Sequence, residues 1–381
     1  MNFNKKTYGV LVVTFLTGVF LFSLNLQASQ KKIINEKINV ENCKNLNFEN
    51  SEFLHPSNFS SFKMELKFNS LKDWRRKNLR VLLKSEENKK KSGNFRRFRT
   101  DKRITESAGE IIIKYKENEF CFLKAKIRVH GDLEDHVNTT LPSIKVKLSN
   151  GHIFGITEFI LFSPKTRKFD NEILAATLFK SLGFIAPRTS NIELSFYGKK
   201  LNYIFQEIIN KEFLENNNLR EFPIYKGDER FTFFDFDKNN IHFSHYKLEN
   251  RAFIKDHNPK LSIAQYGLSI LNKLNYYDKG EFFPDYIDQA FNSKKLFNQN
   301  YFKNYEEFAA LMIALNSNHN LSRDDLRLYF NREINKFFPI YYDGSINLHY
   351  QNTFLNEKCP KKVNCKIIKS AINGADKATD L

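Results

Sequence analysis

"AGEIIIKYKENEFCFLKAKIRVHGD", residues 108–132, alternates apolar and polar positions on either side of a polar break. This pattern predicts a β-hairpin, with strands over 110–115 and 120–130 and a turn at KENE. Upstream, "FKMELKFNSL" from Phe62 carries the same period of two. Downstream, "PSIKVKLS" sends Ile144, Val146 and Leu148 to one face and Lys145 and Lys147 to the other. "SNIELSFYG" and "KLNYIFQEII" read as two more strands around a Tyr-Gly-Lys turn. One helix interrupts the series, at "DNEILAATLFKSLG". Asp170 is placed to cap it, Ile173, Leu174, Thr177, Leu178 and Leu182 form an apolar stripe, and Gly183 ends it.

The second half reads as more helical. "SIAQYGLSILNKLNYY" and "NYEEFAALMIALNS" carry apolar residues at three-and-four spacing. A polar loop follows, "SNHNLSRDD", then the strand "LRLYF", a turn, and "KFFPIYYDGS", which ends on Asp343 and Gly344. Asp343-Gly344 is a favoured hairpin turn, and it is also where protein-kinase-like folds set a metal-binding aspartate after the catalytic loop. A Walker-type phosphate loop and a G-x-S-x-G elbow are both absent, which excludes the commonest nucleotide-binding and hydrolase patterns.

Composition adds the partners. Lysine and arginine exceed acids by 60 to 43 in 381 residues, a formal net charge of +17, so a polyanion is a natural partner. The densest run, residues 72–103, reads as a solvated basic surface with a loop in its middle. Lys5 and Lys6 precede an uncharged apolar stretch from Tyr8 to Leu26, and Ala28 stands at a plausible cleavage site. Residues 1–28 are therefore a signal peptide or a membrane anchor, and the chain is expected to be exported or anchored at the cell envelope. Export argues against nucleic acid as the partner. Residues 29–105 read as a basic linker region with the first strand, 106–350 as the main domain, and 351–381 as a tail. Cys43, Cys121, Cys359 and Cys365 suit an oxidising compartment, and "CPKKVNC" is a loop that a disulfide can close.

"KIRVHGDLEDH", residues 126–136, carries an R-x-x-G-D-x-x-D-H pattern through Arg128, Gly131, Asp132, Asp135 and His136. With "SIKVKL", "GFIAPRTSNIELSFYGKKLNYIFQEIINKEFLE", "REFPIYKGDE", "LRLYF" and "PIYYDGS" following in order, the chain resembles the spore-coat protein H (CotH) kinase-like family over roughly residues 106–347. The resemblance implies an α+β, atypical protein-kinase-like fold of two lobes, an antiparallel sheet lobe and a mainly helical lobe. It also implies ATP with Mg2+ between them, and phosphate transfer to a hydroxyl of a protein or an envelope polymer. Lys145 or Lys147 would then bind phosphates, with Glu172 pairing the lysine and Glu207 near the connection between the lobes. Arg128 and the Gly131-Asp132 turn would form a loop over the phosphates, unless that turn is a plain hairpin.

The chain departs from the family at its catalytic loop, where D-x-H-x-x-N is expected. Asn320 stands at the aspartate position and Asp325 at the asparagine position; a shift of one residue pairs Asp324 with His319 instead. Asp325 and Asp343 would ligate Mg2+, and Asn320 or His319 would orient the attacking hydroxyl. Asn320 accepts no proton as an aspartate does. The alternative to a kinase is a non-catalytic module whose basic surface holds an anionic glycan or membrane lipid.

Overall fold

The computed structural model describes residues 62–92, 105–115, 119–131, 134–137, 141–228, 245–255, 258–277, 301–317, 319–321 and 325–346. The apolar stretch 8–26, Cys43, Asp132, Asp324, the 359–365 loop and the side chain of Cys121 lie outside the described residues. Among the described residues, no helix is long and apolar enough to cross a membrane.

Seven strands close into a barrel. They are β1 (Phe62–Phe68), β2 (Ser107–Tyr115), β3 (Glu119–Val129), β4 (Ile144–Leu148), β5 (Glu158–Phe162), β6 (Thr189–Phe196) and β7 (Lys199–Glu207). The spatial order is β1-β2-β3-β4-β5-β7-β6, and β6 returns to β1. Every neighbouring pair is antiparallel except that closing seam, where Lys63, Met64 and Glu65 run parallel to Glu193, Leu194 and Ser195. The apolar half of each alternating strand points inward, so Ile111, Leu123, Ile127, Val146, Leu161 and Phe205 share one core. Period-two patterning is the same for an open sheet and a closed one, and the barrel differs only in leaving no free edge.

Helix α1 (Leu71–Ser92) lies across one end of this barrel. Ser70 accepts a hydrogen bond from the Asp73 amide at 3.2 Å, which starts the helix. Trp74, fully buried, stacks on Phe68 at 4.5 Å between ring centres and meets Phe196 edge-on at 6.5 Å. Phe68 and Phe196 are the last residues of β1 and β6, so the indole plugs the mouth where the parallel seam ends. The chain from Phe62 to Ser92 is thus part of the barrel, beginning with a strand where the alternation placed one, and the basic run is helical from residue 72 through Ser92, where a solvated surface with a loop in its middle was expected.

Helix α2 (Asp170–Ser181) packs against the outside of the barrel. Ile173 reaches Ile160, Phe162 and Ile204, while Ala175, Ala176 and Phe179 face the opposite way. Burial on two sides displaces the expected stripe: Leu174 is 52% exposed. Asp170 is inside the helix and accepts a bond from Asn191 at 2.8 Å; the capping position falls to Phe169, whose φ is 59°. Helix α3 (Lys211–Asn216) follows β7 and is capped by the Asn210 side chain.

The remaining elements are β8 (Ile224–Asp228), β9 (His245–Leu248), α4 (Asn258–Tyr277), α5 (Tyr305–Ala314), β10 (Arg327–Asn331) and β11 (Lys336–Ile340). The four strands form an antiparallel sheet in the order β11-β10-β8-β9. This overturns the expected fold class. The chain does not adopt a two-lobe kinase-like fold with an antiparallel sheet lobe and a mainly helical second lobe: its first sheet is a closed mixed barrel, and its second half is built on a sheet of its own. The physical cause is that the KFFPI and IYKGD segments pair through LRLYF, giving the second half a ladder that the helical periodicity around it obscures.

Candidate functional site

The segment after β11 joins the two halves. Ile340 bridges Ile185 in parallel, and the Tyr341 amide donates to the Ile185 carbonyl at 2.8 Å. Tyr341 stacks on Phe179 of α2, with ring centres 4.7 Å apart. Asp343 and Ser345 then take left-handed conformations, φ 53° and 54°. Gly344 between them is required by space: a Cβ there would lie 2.7 Å from the Tyr341 ring and 3.0 Å from Ser317 Oγ. Residues 341–346 form no strand, so Asp343-Gly344 does not act as the turn of a hairpin over the described residues.

Three groups of polar side chains meet around this segment. The first is buried. Arg167, at the end of the 3-10 turn Pro164–Arg167, binds Asp343 Oδ1 at 3.0 Å, and its guanidinium lies 3.8 Å over the Phe162 ring. It is 93% buried, the complement of its 7% exposure, and among the described residues its Nε finds no hydrogen-bond partner. Glu172, in the first turn of α2, accepts from the Tyr341 hydroxyl at 2.9 Å and from Gln206 Nε2 at 3.1 Å. Burial, and then the negative charge of Asp343, push the Glu172 carboxyl up from 4.5 to about 7, against the pull of Arg167. Burial likewise raises the Tyr341 hydroxyl far above its ordinary value, so it stays a neutral donor.

The second group is the loop before β10. His319 spans it: its Nδ1 donates to the Asp343 carbonyl at 3.1 Å, and its Nε2 lies 3.4 Å from the Asp325 carboxylate. Asp325 and Asp343, eighteen positions apart, therefore flank one imidazole. Asn320 is wholly buried, with its Oδ1 accepting from the Tyr342 amide at 3.1 Å and its Nδ2 turned to the Asp325 carbonyl at 3.4 Å. Both ends of that amide hold backbone, so Asn320 positions the loop. Arg327 lies 3.7 Å over the Tyr342 ring, donates to the Asp325 carbonyl and pairs with Glu249 at 3.5 Å.

The third group is the outward face of the barrel. The strand registers align Arg128, Lys145, Ile160, Gln206 and Thr189 in one row across β3, β4, β5, β7 and β6. Lys145 is two strands from Gln206, about 10 Å between backbones, and Gln206 holds Glu172. Lys145 and Lys147 both pair with Glu158, the former at 3.0 Å. Burial pushes the Glu158 carboxyl up, but the two ammoniums outweigh it and hold the group below its ordinary value. Glu172 bonds to Tyr341 and Gln206 where a lysine partner was expected.

Two expected residues serve the framework. Glu207 is buried, accepts from Arg188 at 3.3 Å through one oxygen and from Asn216 through the other, and ties β7 to β6 and α3. Gly131, at φ 86°, is needed because a Cβ would meet the His136 ring at 2.2 Å. His136 bonds to Ser143 at 2.9 Å and touches Phe162, the ring that carries Arg167, at 5.9 Å between centres. Arg128 bends back to the Val129 carbonyl.

Sequence reading missed Arg167, Tyr341, Gln206 and Arg327. Only "SPKTRKFDNE" held a cue, a base between a strand end and an acidic helix start. Comparison with protein-family models and with curated proteins found no match to this chain.

The Asp343 carboxylate is held by Arg167 and that of Asp325 lies against His319. Among the described residues no set of three or more His, Cys, Asp or Glu side chains forms a metal cage. Asp325 and Asp343 would offer two carboxylates, and Mg2+ commonly takes one or two of these with phosphate and water for the rest.

Proposed function

We propose that this chain is a phosphotransferase that binds ATP with Mg2+ and passes phosphate to a hydroxyl of a protein or an envelope polymer. The observation that carries the reading is His319 linking the Asp325 carboxylate to the backbone carbonyl of Asp343, whose own carboxylate is paired with a buried guanidinium that keeps an unsatisfied N–H. Phosphoryl transfer needs cations on the phosphates, acids for the metal and a group that orients the nucleophile, and these residues supply each kind. The CotH resemblance supports the same chemistry, carried here on a closed barrel.

Mg2+ held by Asp325 and Asp343 would neutralise phosphate charge. Arg167, fixed by Asp343 and Phe162, presents its Nε to an anionic oxygen without reorganising. Arg128, Lys145 and Lys147 add positive charge along the neighbouring barrel face. His319 orients the attacking hydroxyl and receives its proton as the new P–O bond forms and the bond to the leaving diphosphate breaks. Asn320 contributes by holding Tyr342 and Asp325 in place.

Thermal unfolding of the full chain tests the binding step. Ligand at about a hundred times its Kd stabilises a protein by about 2.7 kcal/mol, a rise of several degrees in Tm that depends on both nucleotide and Mg2+. Asp343→Asn removes that rise. No rise with any nucleotide plus Mg2+ overturns the proposal.

A second reading, a nucleotide-binding module without turnover, is favoured by the burial of Asn320 where a proton acceptor is expected. A Tm rise without transfer of the terminal phosphate selects it.

A further inference from the structure

Helix α1 has two unlike faces. Trp74, Val81 and Ser85 turn into the barrel end, while Leu79 and Leu83, four residues apart, are 52% and 60% exposed. On the wheel of an α-helix these leucines lie together, flanked by exposed Lys72, Arg75, Arg76, Arg80 and Lys90. Several bases are engaged within the molecule: Arg76 pairs with Asp73 at 2.8 Å, and Arg75 lies 5.0 Å over the Tyr197 ring. Neither contact removes its charge from the outer face. Glu87 on that face is paired with Lys91 at 2.7 Å.

We infer that α1 is a membrane-docking helix that seats Leu79 and Leu83 in an anionic lipid surface. Apolar side chains ringed by bases on one helix face are the pattern of a helix lying in the bilayer interface, where leucines enter the acyl boundary and long basic stems reach the headgroups. Each base beside an anionic leaflet multiplies partitioning roughly five-fold, so these charges outweigh what two leucines supply. The charge selects anionic lipid over neutral lipid. Two leucines make too small an apolar centre for a stable protein interface, which needs on the order of 1,000 Å² buried, whereas a lipid surface requires only shallow entry. The apolar stretch Tyr8–Leu26 of the same chain would bring α1 to a bilayer. The inference is independent of the phosphotransferase reading, since α1 contributes no residue to that site.

Covalent footprinting of the vesicle-incorporated full chain tests α1 itself, because the N-terminal stretch is the same in both vesicle types. The chain is incorporated into vesicles of phosphatidylcholine alone, or of phosphatidylcholine with phosphatidylglycerol, and its lysines are acetylated and read by mass spectrometry. The expected result is a several-fold loss of reactivity at Lys72 and Lys90 in the anionic vesicles only, reversed by salt. Lys211, on α3 at the opposite end of the barrel, is unchanged. Leu79→Asp with Leu83→Asp restores reactivity, and circular dichroism checks that this variant is folded. Equal reactivity in the two vesicle types overturns the inference, as does protection that survives the double substitution. Protection that appears only when a soluble protein is added overturns it in favour of a protein partner.

Discussion

Replacing Glu172 by glutamine is expected to abolish a loss of stability that the wild-type protein suffers as pH rises toward neutrality. The carboxyl titrates at about 7 in the folded chain against 4.5 ordinarily. Between these values the native state holds a proton that the unfolded state has released, so stability falls with increasing pH. Each pH unit across that interval is worth about 1.36 kcal/mol, which brings the whole effect to about 3 kcal/mol, complete above the folded value and absent below the ordinary one. Glutamine mimics the protonated acid: its oxygen accepts from Gln206, and its amide donates to the Tyr341 oxygen. Urea unfolding followed through Trp74, the single tryptophan, gives the two stabilities at each pH. The variant matches wild type near pH 4 and exceeds it by up to about 3 kcal/mol at pH 8. Taking the difference between variant and wild type cancels the contribution of groups common to both. Asp343→Asn narrows the gap, because it removes the charge that raises Glu172 after burial does. Curves that run parallel from pH 5 to 8 would refute the burial of an acid between Tyr341 and Gln206.

Three further substitutions probe the same architecture. Arg167→Ala strips Asp343 of its buried partner and uncovers Phe162; a loss of about 3–5 kcal/mol in chemical denaturation is expected, and Arg167→Lys does not restore it, since a point ammonium cannot both pair and stack. Gly344→Ala drives a methyl group into Tyr341 and Ser317, costing about 1–3 kcal/mol and lowering the nucleotide-dependent Tm rise. Trp74→Ala opens the barrel end and costs about 3–5 kcal/mol by urea unfolding monitored by circular dichroism; a change under about 1 kcal/mol would show that α1 is not part of the barrel.

Strands were the most legible part of the sequence. Alternation marked FKMELKF, the 107–129 hairpin, IKVKL and the β6–β7 pair, because each buries one face only. Closure was not legible, since the parallel seam joins Met64 to Leu194, and neither residue differs from one on an antiparallel partner. Helix α1 was obscured by its own economy: a lid needs only Trp74, Val81 and Leu82 turned inward, and mostly charged residues surround Leu79 and Leu83 on the outer face. The acids Asp325 and Asp343 could be marked because the resemblance to the CotH-like pattern sets metal ligands at those two positions. Arg167 could not, because what makes it special is a ring from β5 beneath it and an acid 176 positions later. Asn320 was marked for its residue type, yet its chemistry is spent on backbone groups that only the folded loop brings within reach.

The seam between β1 and β6 has a consequence for how the protein is made. Lys63 and its neighbour Glu193 are about 130 residues apart in the chain, and synthesis runs at roughly 5–20 residues per second. The first strand therefore waits on the order of ten seconds for its second partner to emerge. During that interval its open edge is a template for wrong pairing. Lys63 and Lys67, exposed at either end of the strand with Glu65 between them, keep that edge charged. The same residues that decorate the finished barrel keep charge on that edge until it is paired, and a contact between residues so distant in the chain is of the kind that slows folding.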